Sequence, residues 1–368
     1  MSFCGSYRPQ DVQFLLKPLA LRHFVTVGEK ERQIQSGRRH YSEMLSPETL
    51  PSEPYLRVFR AACAANLQRM ARDCLDLAAQ IACRRDGAIT LVSLARAGTP
   101  VGVVLKHLLA QRFSRTVSHY SVSVIRDRGI DQAALAHILD SGHAPESIVF
   151  IDGWTGKGVM SRELAHTVAA WNTRHGTRID SGLHVLSDLA GTAACAASCD
   201  DYLIPSSILN ATVSGLVSRS ILNDMIGPGD FHGCVYYDQF APHDQSREFA
   251  DSLLAAALAL GTHGVAANAI DAAGAETARR RAAELSRQFM ADAQHRHGIT
   301  DANLIKPGIG EATRVLLRRV PRLLMLRQAE GADVAHLLLL AREKQVPVQF
   351  DAGLPYSAVA LIGSALDA

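Results

Sequence analysis

Residues 147–158 have the sequence Ser-Ile-Val-Phe-Ile-Asp-Gly-Trp-Thr-Gly-Lys-Gly, and they are the most informative segment of the chain. A buried strand, a glycine-containing loop and a helix follow one another here, and the acid Asp152 stands where we expect the strand to end. An acid there can hydrogen-bond sugar hydroxyls or hold a cation, while loop amides are free for a phosphate. We therefore predict a phosphate-binding loop, with these candidate binding residues: Gly153, Thr155, Gly156, Lys157 and Gly158.

The same loop is not a Walker A motif. That motif needs glycine at position 151 and Ser or Thr at position 158, and the chain has Ile151 and Gly158 there. A nucleotide-binding P-loop is excluded at this place.

Strands and helices alternate on both sides of this loop. After a long amphipathic helix over residues 55–84, short apolar runs predict strands, and segments with helical spacing lie between them. This alternation predicts an α/β fold, a parallel sheet with helices on both faces and with ligands at the carboxyl ends of the strands. The predicted strands cover residues 88–94, 119–125, 147–151, 183–186 and 202–204.

A second loop of this kind, Leu-Ala-Arg-Ala-Gly-Thr-Pro, covers residues 94–100. It joins a predicted strand to a helix N-terminus, where unpaired amides and the helix dipole favour an anion. The candidate binding residues are Arg96, Ala97, Gly98 and Thr99. A tight turn with a surface arginine explains the same residues without a ligand.

Together the two loops resemble the type I phosphoribosyltransferases. The resemblance implies that the first loop holds pyrophosphate and the second the 5-phosphate of Mg²⁺-bound phosphoribosyl pyrophosphate, with Asp152 on the ribose hydroxyls and the metal. Arg126 and Arg128 lie where the family has a mobile catalytic loop, although an exposed charged turn is the alternative. The chain departs from the pattern because Gly153 stands where a second acid is usual.

Longer segments resemble one particular group of these proteins. They are GSYRPQDVQFLLKP (residues 5–18), FIDGWTGKG (150–158) and YLIPSSILNATVSGLVSRSI (202–221). They are similar to the phosphoribosyltransferase-like family of tellurite-resistance and stress gene clusters, some members of which carry the label cysteine protease StiP. The resemblance covers about residues 1–245 and implies that a nucleoside-like or ribosylated metabolite is made or cleaved.

Three further polar residues follow predicted strands, so they would lie at the edge of the sheet where an acceptor sits. They are Asp188, Ser206 and Ser207. A helix-capping or turn role explains them equally well. The seven cysteines show no spacing typical of a disulfide framework or of a known cysteine peptidase, so a peptidase stays an alternative only.

The C-terminal segment, residues 304–363, resembles the pelota-like and kink-turn RNA-binding domains. Their Gly-x-Asn-Glu-x-x-Lys motif matches residues 308–314, with Gly310 in place of asparagine and Arg314 in place of lysine. The candidate RNA-binding residues are Lys306, Gly308, Glu311, Arg314 and Arg318. The resemblance implies a structured RNA as partner, and a solvated helix on an accessory or dimerisation domain is the alternative.

Composition limits the remaining classes. The formal net charge is only +2, so no whole-chain field attracts nucleic acid or membranes. No apolar run approaches the length of a membrane span and no targeting segment is evident, so we expect a cytoplasmic protein.

We predict a type I phosphoribosyltransferase-like domain over residues 1–245, a helical bridge over 246–300 and a small α/β/α pelota-like domain over 301–368. The function expected is a phosphoribosyltransferase; the rivals are a cysteine peptidase and a non-catalytic RNA-binding regulator. The oligomeric state is left open, a homo-oligomer included.

Overall fold

A computed structural model describes residues 2–20, 24–261 and 272–363. The helices are α1 (Val27–Gln35), α2 (Glu53–Arg84), α3 (Thr99–Phe113), α4 (Gln132–Asp140), α5 (Val159–His175), α6 (Ser246–Ala259), α7 (Ala272–His297), α8 (Ile309–Arg318) and α9 (Ala335–Glu343). The strands are β1 (Gln13–Leu15), β2 (Lys17–Pro18), β3 (Ile89–Leu94), β4 (Val117–Val122), β5 (Val124–Ile125), β6 (Gly129–Ile130), β7 (Ile148–Thr155), β8 (Leu183–Asp188), β9 (Cys195–Ser198), β10 (Gly233–Cys234), β11 (Ile305–Pro307), β12 (Leu323–Leu326), β13 (Val348–Phe350) and β14 (Ala358–Leu361).

The main sheet has six parallel strands in the order β1-β4-β3-β7-β8-β9. From β3 the chain first adds β4 on one side and later β7 on the other, so the order reverses between β3 and β7. In an open parallel sheet the crevice at such a reversal, outside the carboxyl ends of the strands, is where ligands bind. The two predicted phosphate loops follow β3 and β7, so the topology places both at this crevice.

Helices cover both faces of this sheet. Leu91 and Val149 point to the face that α2, α3 and α6 cover, whereas Val92 and Phe150 point to the face that α4 and α5 cover. Successive strand residues point to opposite faces, and burial on both faces explains the continuous apolar runs in the sequence. The predicted α/β class, with a parallel sheet and helices on both faces, is confirmed.

The C-terminal sheet has the order β11-β14-β12-β13, with β12 and β13 parallel and the other pairs antiparallel. Leu324 and Ala360 pack with α8 and α9, while Met325 and Val359 pack with α7. The sheet therefore lies between helices on both faces, as the α/β/α prediction requires. The segment 246–300, predicted as a helical bridge, contains α6 and α7, and α6 packs on the main sheet together with α2 and α3. Residues 262–271 of this segment lie outside the described residues, as do residues 364–368 of the predicted C-terminal domain.

One predicted strand is absent, and another strand ends later than predicted. Residues 202–204 are not a strand, because the chain leaves the sheet after β9 and the ring of Tyr202 packs 4.0 Å beneath the guanidinium of Arg69 in α2. The strand predicted to end at residue 151 continues to Thr155, so Asp152 and Gly153 lie inside β7. Pairing of Asp152 with Val185 of β8 extends the ladder into the expected loop.

Asp201 fixes the C-terminal unit to the main sheet. Its Oδ1 accepts the N–H of Ile309, the first residue of α8, at 2.9 Å, and its Oδ2 accepts the N–H of Ser357 at 2.7 Å. The carboxylate thereby caps α8 from the other part of the chain. Burial raises the pKa of this carboxyl to about 6, although it accepts hydrogen bonds from three backbone N–H groups.

Within the described residues no helix is long and apolar enough to cross a bilayer.

Candidate functional site

A cavity of about 760 Å³ lies at the carboxyl ends of β3 and β7, and α8 forms its opposite wall. This size is within the range of small-molecule sites. It brings together residues that the sequence assigned to two separate sites, the phosphate loops and the RNA-binding motif. The predicted residues in its wall are Arg96, Ala97, Arg126, Asp152, Thr155, Gly156, Lys157, Ser206, Ser207, Lys306, Glu311, Arg314 and Arg318.

Other predicted residues lie away from the cavity. The N–H of Gly98 donates to Leu94 O at 3.0 Å, and the hydroxyl of Thr99 is buried against the hydroxyl of Ser121 at 2.8 Å. Asp188 is buried and accepts the N–H groups of two neighbours, Ala190 and Ala193. In this conformation these three residues serve the turn and helix start after β3 and the turn after β8.

Four more predicted residues also do not line the cavity. Arg128 is exposed and its nearest acid is Glu43, at 3.5 Å. Gly153 donates its N–H to the Asp152 carboxylate, and Gly158 donates its N–H to Thr155 Oγ1 at 3.0 Å. Gly308 is packed so that a Cβ there would lie 2.5 Å from Leu189 Cδ1.

Arg96 is held by a partner that the sequence did not reveal. Its guanidinium NH1 lies 2.8 Å from Glu48 Oε1 and donates to Val217 O at 2.8 Å. Glu48 also accepts the N–H of Ala211 at 3.0 Å, and both side chains of the pair are largely buried. Glu48 lies in the proline-containing segment SPETLPSEP, which has no recognisable motif. The pairing of Glu48 with Arg96 is therefore visible only in the folded chain.

Asp152 is a buried carboxyl in the floor of the cavity. Its Oδ1 accepts the N–H of Gly153 at 2.8 Å. Burial raises its pKa to about 6, and the positive charge of Arg314 opposes that rise. A hydroxyl-bearing ligand would give this carboxyl the partners that burial removes.

The residues present fit Mg²⁺ only in company with a ligand. No group of three or more His, Cys, Asp or Glu side chains that could hold a metal occurs in the parts of the chain that the structure describes. Mg²⁺ is commonly held by one or two carboxylates together with substrate phosphates. Asp152 is a single carboxylate, so it could hold Mg²⁺ only together with the phosphates of a bound substrate.

The loop after β7 contacts the C-terminal unit. Lys157 donates from Nζ to Ala302 O at 2.9 Å and to Ile305 O at 3.1 Å. Burial and the nearby Lys306 lower the pKa of Lys157 to about 8. A Cβ on Gly156 would lie 2.9 Å from Pro307 O, so a side chain at this position would separate the two units.

Helix α8 presents the kink-turn-like residues to the β7 loop. A Cβ on Gly310 would lie 2.4 Å from the ring of Trp154, so only glycine permits this approach. Arg314 stacks on the same ring at 4.4 Å and pairs with Glu311 at 3.2 Å. Burial alone would raise the pKa of Glu311, but Arg314, Lys306 and Lys157 outweigh it and lower that pKa.

Several polar atoms of the cavity wall have no hydrogen-bond partner within the described part of the chain. They include the Oγ atoms of Ser206, Ser207 and Ser220 and one guanidinium nitrogen of Arg219. Buried polar groups are almost always hydrogen-bonded in native proteins, so a set of unpaired ones in one wall indicates a ligand or ordered water. The sequence did not single out Arg219, which becomes part of the site only through tertiary folding.

The cavity is strongly basic. Ten basic side chains line it against four acidic ones. The basic ones are Lys30, Arg96, Arg126, Lys157, Arg219, Lys306, Arg314, Arg318, Arg319 and Lys344, and the acidic ones are Glu48, Asp152, Glu311 and Glu343. The positive charge of the protein is therefore concentrated where the two loops and α8 meet, which favours an anionic ligand.

The cysteines lie outside this cavity. Burial raises the pKa of the thiols of Cys195 and Cys199 to about 11 and of Cys63 and Cys234 to about 12. The pKa of Cys74 is raised as well. No cysteine sulfur is hydrogen-bonded to a histidine in the described residues, and Cys195 donates to Gln80 Oε1 instead. These buried thiols are protonated at neutral pH, whereas a nucleophile needs the thiolate.

Comparisons with known proteins match the two parts of the chain to two different families. Residues 5–254 match the family described as tellurite-like stress resistance cysteine protease StiP, and residues 284–364 match the PELOTA RNA binding domain. A protein of Acinetobacter baylyi named cysteine protease StiP is 40% identical over 371 residues, covering 98% of this chain and 94% of that protein.

Solved structures of phosphoribosyltransferases are also similar. The hypoxanthine phosphoribosyltransferase of Trypanosoma cruzi is 15% identical, with a TM-score of 0.26 over 36% of this chain and 77% of that one. A hypoxanthine-guanine phosphoribosyltransferase of Bacillus anthracis is 14% identical, with a TM-score of 0.26 over 43% of this chain and 84% of that one.

Replacing Gly310 tests the contact between α8 and Trp154. We expect Gly310→Ala to lower the free energy of unfolding by about 1–2 kcal/mol, because the clash outweighs the gain in helix propensity. Chemical denaturation measures the change. The control is Gly28→Ala in α1, where nothing lies within 4 Å of an added Cβ. If Gly310→Ala is as stable as the wild type, α8 does not lie on Trp154.

Proposed function

We propose that this chain is a phosphoribosyltransferase-like enzyme. It belongs to the family described as tellurite-like stress resistance cysteine protease StiP. It binds phosphoribosyl pyrophosphate or a related ribose phosphate and makes or cleaves a nucleoside-like metabolite in a stress system. One observation carries the proposal: a basic cavity with unpaired donors at the crevice between β3 and β7.

Each wall of the cavity has a role in this proposal. Thr155, Gly156 and Lys157 bind the 5-phosphate, and the segment of Arg96 and Ala97 faces the pyrophosphate. Asp152 accepts hydrogen bonds from the ribose hydroxyls. Ser206 and Ser207 lie where the acceptor would bind, with hydroxyls that have no partner within the described residues.

The reaction is a substitution at the anomeric carbon of the ribose. The bond from this carbon to the pyrophosphate oxygen breaks, and the acceptor attacks through an oxocarbenium-like state. Catalysis then rests on positioning and on stabilising the departing negative charge, to which Arg126 contributes from the cavity wall. Bound Mg²⁺ would neutralise part of the pyrophosphate charge, with Asp152 as its protein ligand.

A cysteine peptidase is the second candidate, and the names of the family and of the relative from Acinetobacter baylyi favour it. Its chemistry needs a thiolate beside a base. The five thiols with raised pKa values are protonated at neutral pH, and in the described residues no cysteine is hydrogen-bonded to a histidine. The geometry therefore favours the ribose phosphate.

An RNA partner is supported by the match to the PELOTA RNA binding domain. The residues expected to read a kink in RNA are, however, covered, with Gly310 against Trp154 and Gly308 against Leu189. We infer that a structured RNA can bind through this face only if the C-terminal unit separates from β7. RNA and the ribose phosphate would then compete.

Calorimetric titration of the purified protein with phosphoribosyl pyrophosphate and Mg²⁺ tests the function. We expect saturable binding that weakens about 10- to 100-fold in Asp152→Asn, because a charged acceptor of hydrogen bonds is lost. Asp140→Asn, an exposed position at the end of α4, is the matched control. If folded wild-type protein does not bind, and iodoacetamide-sensitive hydrolysis of an unfolded protein is found, the peptidase replaces the transferase.

The affinity should depend on pH through Lys157. Its pKa is lowered to about 8, so the cation that binds phosphate is complete below that value and is lost as the pH rises through it. We expect affinity for ribose 5-phosphate to fall between about pH 7 and about pH 9, and Lys157→Arg to move this fall to higher pH. Affinity that is constant or rises over this interval contradicts the role of Lys157.

A further inference from the structure

We propose that the carboxylate of Glu48 occupies an anion-binding position at the cavity, and that a phosphorylated ligand has to displace this carboxylate in order to bind. Glu48 belongs to a cap segment, residues 40–49, and its displacement would loosen that segment. This inference concerns the regulation of the cavity and rests on the proposed function. The conformation with Glu48 in place is then an autoinhibited resting state.

The cap segment forms one side of the cavity. Its residues in the cavity wall are Tyr41, Leu45, Ser46, Pro47, Glu48 and Thr49. Apart from a 3₁₀ turn over Tyr41–Glu43, this segment, which the structure describes in full, forms no helix or strand. A segment without helical or ladder hydrogen bonds opens at a lower free energy than the core of a fold. The cap segment can therefore move while both sheets stay intact.

The Glu48 carboxylate is held as a ligand anion would be held. Arg96 NH1 lies 2.8 Å from its Oε1 and 3.0 Å from its Oε2. The N–H of Ala211 also donates to Oε2, at 3.0 Å. Guanidinium groups and backbone N–H groups are donors with which proteins bind phosphate oxygens. Arg96 and the N–H of Ala211 thus form an anion site, and the chain fills it with a carboxylate of its own.

A ligand phosphate at Arg96 would compete with Glu48. Only 10% of the Arg96 side chain and 13% of the Glu48 side chain are exposed, so water and salt screen their charges little. A phosphate on the same guanidinium would lie close to the carboxylate, and like charges at short range repel each other strongly where screening is weak. The stability of the pair between Arg96 and Glu48 therefore counts against binding of the ligand.

A second arginine of the cavity wall connects the ligand site to the same segment. Arg219 donates from NH2 to Met44 O of the cap segment, while its NH1 is buried and has no partner within the described residues. Because a guanidinium is rigid and planar, an anion that turned NH1 towards itself would move NH2 as well. Ligand binding is therefore coupled to the cap segment at two places, Glu48 and Met44.

Calorimetric titration of the full-length wild type and of Glu48→Gln with phosphoribosyl pyrophosphate and Mg²⁺ tests this inference. Glutamine keeps the shape and can still accept hydrogen bonds from Arg96 and Ala211, but it lacks the charge that opposes the ligand. We expect Glu48→Gln to bind the ligand about 10-fold more tightly than the wild type. The matched control is Glu43→Gln, because Glu43 lies in the same segment, pairs with Arg128 at 3.5 Å and is not among the residues that line the cavity. Its affinity should equal that of the wild type.

The outcomes separate this inference from the function on which it rests. If neither the wild type nor Glu48→Gln binds the ligand, the proposed function falls and the inference falls with it. If the wild type binds and Glu48→Gln binds equally well or more weakly, Glu48 serves only to orient Arg96, and the inference alone is overturned. An equal gain of affinity in Glu43→Gln overturns it as well, since any lost negative charge would then have the same effect.

Hydrogen–deuterium exchange of the wild type is a second measurement that needs no variant. At a ligand concentration that calorimetry shows to be saturating, we expect faster amide exchange in the cap segment, because Glu48 and Met44 lose their contacts with arginines. Exchange there that is unchanged or slower overturns the inference, since the cap segment would then stay in place or close on the ligand. Thermal unfolding checks that Glu48→Gln folds, and the exchange measurement decides if it does not.

Discussion

The approach of α8 to the indole of Trp154 is the contact on which the site depends. It exists because Gly310 has no side chain, and it is held by Arg314, which stacks on the same ring at 4.4 Å. Asp201 fixes the start of the helix by accepting the N–H of Ile309 at 2.9 Å. Without this contact the loops after β3 and β7 would form an open crevice. With it they form one wall of a cavity, and the C-terminal unit forms the other.

Bringing many cations together has an electrostatic cost that the chain offsets only in part. Glu48 and Glu311 neutralise two of the arginines, while burial, together with the repulsion of Lys306, lowers the pKa of Lys157 to about 8. Charges withdrawn from water are stable only when they are paired and hydrogen-bonded. An anion would complete a cavity of this kind, and on this ground we propose a phosphorylated ligand and not a peptide.

The sequence predicts those features of the fold that depend on the residue pattern within a short segment. The apolar runs and the glycine-containing loops predicted the parallel sheet, and the apolar run over residues 147–151 predicted the strand β7. The pairing of Arg96 with Glu48, 48 residues away, has no local signal. Glycine at position 310, in place of the asparagine of the kink-turn motif, was noted only as a departure from that motif, and the fold alone shows that it lets α8 reach Trp154. The end of β7 was misplaced because pairing with β8 extends it.

Hydrogen–deuterium exchange with and without phosphoribosyl pyrophosphate and Mg²⁺ tests most directly whether the two walls form one site. We predict that the ligand slows amide exchange both at residues 153–158, which form the end of β7 and the loop after it, and in α8, since both would contact the ligand. Slower exchange in the loop alone, with α8 unchanged, would contradict a shared site and return α8 to a separate role.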